Sequence, residues 1–273
     1  MDKRRLDTLL AERGLFPSRS RAAASVMAGE VRLGRGERRA EKPGEMVDPQ
    51  ELIRVQQPAA YVSRGGIKLA NALDASALDP RGRVALDVGA STGGFTDCLL
   101  QRGAEHVFAV DVGYGTLDYR LRSDARVTVL ERTNARELTA ELLAQSSDAG
   151  VRSPDLAVLD VSFISLTKVL GPALSCLAAG WQALAMVKPQ FEVGREHIGK
   201  GGVVRDPHDR RAALVAVGQS AIALGASVLG YHSSGLAGPK GNLETFINLA
   251  DPSLARGTRD PEQLDAMARE VEP

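Results

Sequence analysis

The chain has 273 residues, enough for one large domain or for an ordinary domain and a small one, and its 44% hydrophobic and 25% charged residues make it globular rather than disordered. Thirty-four Lys and Arg balance 34 Asp and Glu, so overall charge says nothing about a polyanionic partner. Its distribution is more informative: residues 1–55 hold 12 basic and 9 acidic side chains, an excess of +3 that the rest of the chain offsets. An ordinary solvated surface also accounts for an excess of that size. Cys98 and Cys176 are too few for a disulfide framework, and His106, His197, His208 and His232 lack metal-ligand spacing. The expectation is a reduced, cytoplasmic protein with no metal site, and the first residues lack the apolar core of a signal peptide.

In chain order, Leu6, Leu9 and Leu10 fall at helical spacing and Gly14 can close that helix. Ser18 offers an N-cap for a second helix, with Ala22 and Val26 four apart, ending at Gly29. Val31–Leu33 and Glu51–Val55 read as short strands. The string Arg5-Leu-Asp-x-Leu-Leu, Gly14, Ser18-Arg19-x-Arg21-Ala22 and Gly29-Glu-Val31 resembles the S4 RNA-binding domain. That resemblance implies that residues 1–58 form a small α+β RNA-binding domain. It also implies that Arg4, Arg5, Arg19 and Arg21, on or near the two helices, meet the phosphate backbone.

Residues 56–62 read as a linker, with the second domain expected over 64–250 and a peripheral, charged, Pro-containing tail over 251–273. Strands are expected at 84–89, 106–111, 126–130, 155–160, 182–187, 226–231 and 243–249, with helical patterns between most of them. That alternation predicts an α/β domain with a mostly parallel sheet covered on both faces. Residues 169–187 and 212–230 carry no charge and invite a membrane reading. Ala and Gly contribute little to a span, however, and each stretch parses as a helix, a glycine stop (Gly180, Gly225) and a buried strand.

The strand ending Val-Ala-Leu-Asp87-Val-Gly89 runs through Ala90 and Ser91 to Gly93, Gly94 and Phe95, where helix-forming sequence begins. A strand turning this tightly into a helix leaves backbone N–H groups open to a ligand. The spacing departs from the G-x-G-x-x-G dinucleotide fingerprint. Asp111 ends the next strand about 20 residues on, where a ribose hydroxyl partner belongs. Together these residues resemble the S-adenosylmethionine site of Rossmann-like methyltransferases. Asp87 is open to two roles, binding the methionine amine or capping the turn, and Asn134 after the third strand can edge the adenine.

Four polar residues stand where an α/β core prefers apolar ones: Lys68 at the start of the helix before the strand at 84–89, Asp160 and Lys188 at strand ends, and Glu244 at the start of the last strand. Taken singly they read as snorkelling lysines or helix caps. Ligands of open α/β sheets bind at the carboxyl ends of parallel strands, and an antiparallel last strand brings Glu244 to the same edge. In this order they resemble the Lys-Asp-Lys-Glu tetrad of FtsJ-type ribose 2′-O-methyltransferases. Asp160-Val-Ser-Phe-Ile-Ser-Leu, Val187-Lys-Pro-Gln-Phe-Glu and Gly238-Pro-Lys-Gly-Asn-Leu-Glu behind an S4-like start are similar to the TlyA family, RNA cytidine 2′-O-methyltransferases once labelled haemolysins.

The resemblance implies S-adenosylmethionine as cofactor, also touching Asp160, and cytidines of ribosomal RNA or its subunits (23S and also 16S) as substrate, with Arg64 as a further RNA contact. A ribose hydroxyl is a very weak acid, and Lys188 is the expected base, oriented with Lys68 by Asp160 and Glu244. The glycine-rich run Gly199-Lys-Gly-Gly-Val-Val-Arg reads equally as a mobile loop over RNA or a plain connection. A membrane-active haemolysin and a non-catalytic S4-type RNA-binding factor are the alternatives. Oligomeric state leaves no mark on the sequence.

Overall fold

A computed structural model describes residues 2–55, 59–148, 150–254 and 257–272; the first three residues of the expected linker, 56–58, lie outside them. The chain divides into two units, Met1–Ala59 and Ala60–Pro273.

The first unit runs β1 (Arg4–Arg5), α1 (Leu6–Glu12), α2 (Arg19–Ala28), β2 (Val31–Leu33), β3 (Arg38–Arg39), β4 (Met46–Val47) and β5 (Ile53–Val55). The capping works as the sequence suggests. Ser18 Oγ accepts from Arg21 N at 3.2 Å, and Gly29, at φ 78°, ends α2 in the left-handed conformation. Leu6, Leu9, Leu10, Ala22, Val26, Val31 and Leu33 form one core. The sheet is ordered β3-β2-β5, with β1 and β4 paired separately. β1, β3 and β4 were not expected, because two-residue strands are too short to carry an alternating pattern.

In the second unit the strands are β6 (Val84–Val88), β7 (His106–Val110), β8 (Val127–Leu130), β9 (Leu156–Leu159), β10 (Gln182–Val187), β11 (Ser227–Ser233) and β12 (Thr245–Ala250). The helices are α3 (Arg64–Ser76), α4 (Gly94–Gln101), α5 (Tyr119–Arg122), α6 (Ala140–Ser146), α7 (Leu170–Ser175), α8 (Pro189–Glu192), α9 (Pro207–Ala223) and α10 (Gln263–Arg269). One seven-stranded sheet is ordered β11-β12-β10-β9-β6-β7-β8. β8, β7, β6, β9 and β10 are parallel, and β12 runs antiparallel to both neighbours. Alternation along β6 sends Val84, Leu86 and Val88 into one core and Ala85 into the other. Both uncharged stretches resolve into helix and strand, with Gly180 at φ 76° and Gly225 at φ 92° between them. Among the described residues no helix is long and apolar enough to cross a membrane.

The segment after 250 is not peripheral. Leu264 and Ala268 of α10 are fully buried in the sheet-face core, Thr258 bridges Val228, and Arg210 Nη2 lies 2.8 Å from the buried Glu272 carboxylate. Its charged residues hid a short apolar stripe, Leu264 and Ala268, four apart on one helix face. Residues 60–63 are also docked rather than free: Val62 N donates to Asp97 Oδ2 at 2.8 Å.

Candidate active site

The turn after β6 brings the two halves of the site together. Gly89 has φ 88°, and a Cβ there would stand 2.6 Å from the Asp160 carbonyl oxygen, so only glycine allows the β6 and β9 ends to approach this closely. Gly93 caps α4 at φ 94°, under Leu117 and Leu121. The expectation of open N–H groups is corrected for four residues. Gly89 and Ala90 donate to Val110 O at 2.8 and 3.0 Å, Gly93 donates to Ala90 O at 2.7 Å, and Ser91 donates to Asp111 Oδ2 at 2.8 Å. The turn is held by hydrogen bonds to the end of β7 and within itself, and what it offers a ligand is bare backbone and a shaped wall.

Three cavities meet at Asp160. The first, about 420 Å³, lies between the start of α3 and the turn and is lined by Ser63, Arg64, Ala90, Ser91, Gly94 and Phe95 among others. The second, about 530 Å³, lies beyond Gly89 and Ser91 and is lined by Asp111, Val112, Asn134, Phe163, Ile164 and Val169. The third, about 500 Å³, contains Lys68, Lys188, Gln190, Phe191, Lys240 and Glu244.

Of the two roles open to Asp87, its place fits the structural one: it is fully buried and lines none of these cavities, and Gly93 does not line them either. Asp87 Oδ2 accepts from the Thr96 hydroxyl at 2.6 Å, so it braces α4 from beneath the turn. Burial, with the Asp160 and Asp111 charges adding to it, pushes its carboxyl up to about 7. Phe95 is mostly core, packed on Phe246 at 5.8 Å. Asp111 Oδ1 also accepts from Gly113 N at 2.6 Å. A carboxylate has about four lone-pair sites, so Asp111 retains capacity for hydroxyl donors. Asn134 caps a short helical turn through Arg136 N.

The tetrad forms as two ion pairs. Val187 pairs with Thr245 in the antiparallel β10–β12 register, so Lys188 and Glu244 leave neighbouring strands at the same level. Lys68, 7% exposed on α3, donates to Glu244 Oε2. Lys188, 8% exposed, donates to Ser162 Oγ at 2.8 Å, and its Nζ lies 2.6 Å from Asp160 Oδ1 at an angle too poor for a hydrogen bond.

Several residues of this region carried no sequence-level role. Phe163 holds φ 64°, is 91% exposed and pairs with Phe191 at 5.4 Å, beside the third cavity. Glu192 accepts from Ser165 Oγ at 2.6 Å and Leu166 N at 2.9 Å, tying the turn after β10 to the loop after β9, and its burial raises its carboxyl. Asn242, 2% exposed, donates to Gly202 O at 2.8 Å and accepts from Val204 N at 2.9 Å. That clamp fixes the glycine-rich run at the third cavity's wall. All four residues lie inside the quoted motifs, the one signal that pointed to them.

Of the expected RNA contacts, Arg64 stands on the first cavity wall and donates to Ala237 O at 3.0 Å. In the first unit Arg4 pairs with Glu12 at 2.6 Å, Arg5 and Arg19 both meet Asp7, and Arg21 is exposed. Among the described residues no group of three or more His, Cys, Asp or Glu is placed to hold a metal ion.

The sheet order and the glycine turn are those of a Rossmann-like methyltransferase, and the similar known proteins agree. Residues 61–250 match the FtsJ-like methyltransferase family and residues 4–53 the S4 domain, and the chain belongs to the TlyA branch of S4-bearing FtsJ-like methyltransferases. It is 46% identical to the 16S/23S rRNA (cytidine-2′-O)-methyltransferase TlyA of Mycobacterium tuberculosis, over 94% of each chain. It is 37% identical to Hemolysin A of Brachyspira hyodysenteriae, over 88% of this chain and 97% of that one. A solved structure from Streptococcus thermophilus described as a hemolysin matches with a TM-score of 0.72 and 38% identity, covering 99% of this chain and 96% of that one. The protein is thus an S-adenosylmethionine-dependent methyltransferase. Its residues fit that cofactor: Asp111 has acceptor capacity left for ribose hydroxyls, and the first two cavities flank the bare backbone at Gly89 within the size range of small-molecule sites.

Proposed function

We propose that this protein methylates the ribose 2′-oxygen of cytidine in ribosomal RNA, of the large subunit and also of the small one. The observation that carries the reading is the convergence of Lys68, Lys188, Asp160 and Glu244 on one cavity next to the cofactor wall. Bound S-adenosylmethionine supplies an electrophilic methyl group. Asp111 and Asn134 hold the adenosine side, while Gly89–Ser91, Gly94 and Phe95 shape the wall beside it. Having released its own proton to solvent, the neutral Lys188 Nζ takes the proton of the 2′-hydroxyl, and Asp160 and Ser162 hold the amine in line with that oxygen. Lys68, fixed by Glu244, adds a positive charge that favours the alkoxide. The Phe163 and Phe191 rings beside the cavity give a displaced base a surface to stack on. The arginines of the first unit grip phosphates, and a ribosomal substrate puts the reaction in the cytoplasm.

The test is methyl transfer from labelled S-adenosylmethionine to ribosomal subunits taken from cells lacking the enzyme, followed by mapping of the product. A 2′-O-methylcytidine is expected. Label on a base, on another nucleotide's ribose or on protein would refute the assignment.

A further inference from the structure

Arg5 and Arg19 belong to different elements, the strand before α1 and the first turn of α2, yet both end on one carboxylate. Asp7 is 3% exposed. Its Oδ1 accepts from Arg5 Nε at 3.2 Å and from Thr8 N at 2.8 Å; its Oδ2 accepts from Arg5 Nη2 at 2.8 Å and from Arg19 Nε at 3.1 Å. The arginine side chains remain 48% and 58% exposed. A guanidinium has five N–H donors in a rigid fork, so each keeps an outward edge while its inner edge is pinned.

We propose that Asp7 is a positioning residue for RNA binding: it locks the Arg5 and Arg19 guanidiniums into one rigid cationic surface that receives backbone phosphates. The proposal rests on the reading of this unit as the RNA grip. Burying a carboxylate is costly unless it is fully hydrogen-bonded, and arginines needed only as diffuse charge have no use for such an anchor. The Arg5 guanidinium, with Arg19 and Thr8, holds the Asp7 carboxyl well below the usual carboxylate range, against the effect of burial. The acid is therefore charged whenever RNA is bound. The side chains are ordered before RNA arrives, so less rotamer freedom is lost on binding.

Charge and orientation predict opposite signs. Asp7→Asn removes a negative charge from a surface that meets a polyanion, so Coulombic attraction alone would tighten binding. Positioning predicts the reverse, a loss of about tenfold in affinity. The measurement is binding of the full-length protein to deproteinised ribosomal RNA at about 0.15 M salt, repeated in an Arg5→Ala/Arg19→Ala background. There Asp7→Asn should cause no further loss, because nothing remains to orient and only the charge effect, which favours binding, is left. Tighter or unchanged binding by Asp7→Asn overturns the proposal. So does an equal loss in both backgrounds, which would show Asp7 acting through the fold. If the double arginine variant itself binds like the parent, the assignment of those arginines fails and the proposal with it.

Discussion

Lys68 and Lys188 are equally buried, but they are held differently. Lys68 Nζ is hydrogen-bonded to Glu244, a partner that is itself 3% exposed. Lys188 lies beside its carboxylate and donates to the Ser162 hydroxyl, and it faces the third cavity, where a substrate hydroxyl would enter. Lys188→Ala should lower kcat by about 100-fold, the scale of a general base, with cofactor affinity unchanged by calorimetry because Lys188 lines the third cavity and not the first two. Lys188→Arg should fail as well, since a guanidinium keeps its proton at any workable pH. An active arginine variant would reduce Lys188 to a fixed charge. The tetrad was legible from sequence because each member sits at a strand or helix end inside a distinctive string. Asp87 was not: strand alternation directs it under α4, and sequence shows the alternation without showing which face carries the ligand.

Element boundaries were legible where a long apolar run met a glycine. β6 and β9 are buried throughout and β10 from Ala183 on, as central parallel strands are, and Gly180 and Gly225 separate helix from strand. The end of the chain was not, because α10 buries little more than Leu264 and Ala268, with Met267 half-buried beside them, and charged residues surround this short stripe. Its attachment is nevertheless firm. Leu264 lies over Gly218 of α9, where a Cβ would stand 3.0 Å from its Cδ1, and Tyr231 donates to Leu214 O at 3.0 Å alongside. Leu264→Ala should therefore destabilise the protein by about 2–5 kcal/mol, read from the denaturant midpoint. A shift within a few tenths of a kcal/mol would mean that the helix is an appendage after all.

At the scale of the whole molecule, the two units divide chemistry from attraction. Residues 1–55 carry 12 basic and 9 acidic side chains, residues 56–59 carry none, and the balanced total leaves the catalytic unit with three more acidic than basic groups. The S4-domain match of residues 4–53, with this excess, makes the smaller unit the expected docking site for a polyanionic substrate, and the larger one contributes the cavities and the four converging side chains. The second unit has cores of its own on both sheet faces, so it should survive alone. Removal of residues 1–59 is expected to leave S-adenosylmethionine affinity intact by calorimetry while methylation of ribosomal RNA drops steeply. The full chain should lose RNA affinity linearly in log–log salt, because phosphate contacts release counterions, and the truncated form should show a much shallower slope. Equal slopes would place the phosphate grip on the catalytic unit, and full activity without residues 1–59 would remove the S4-like unit from substrate recognition altogether.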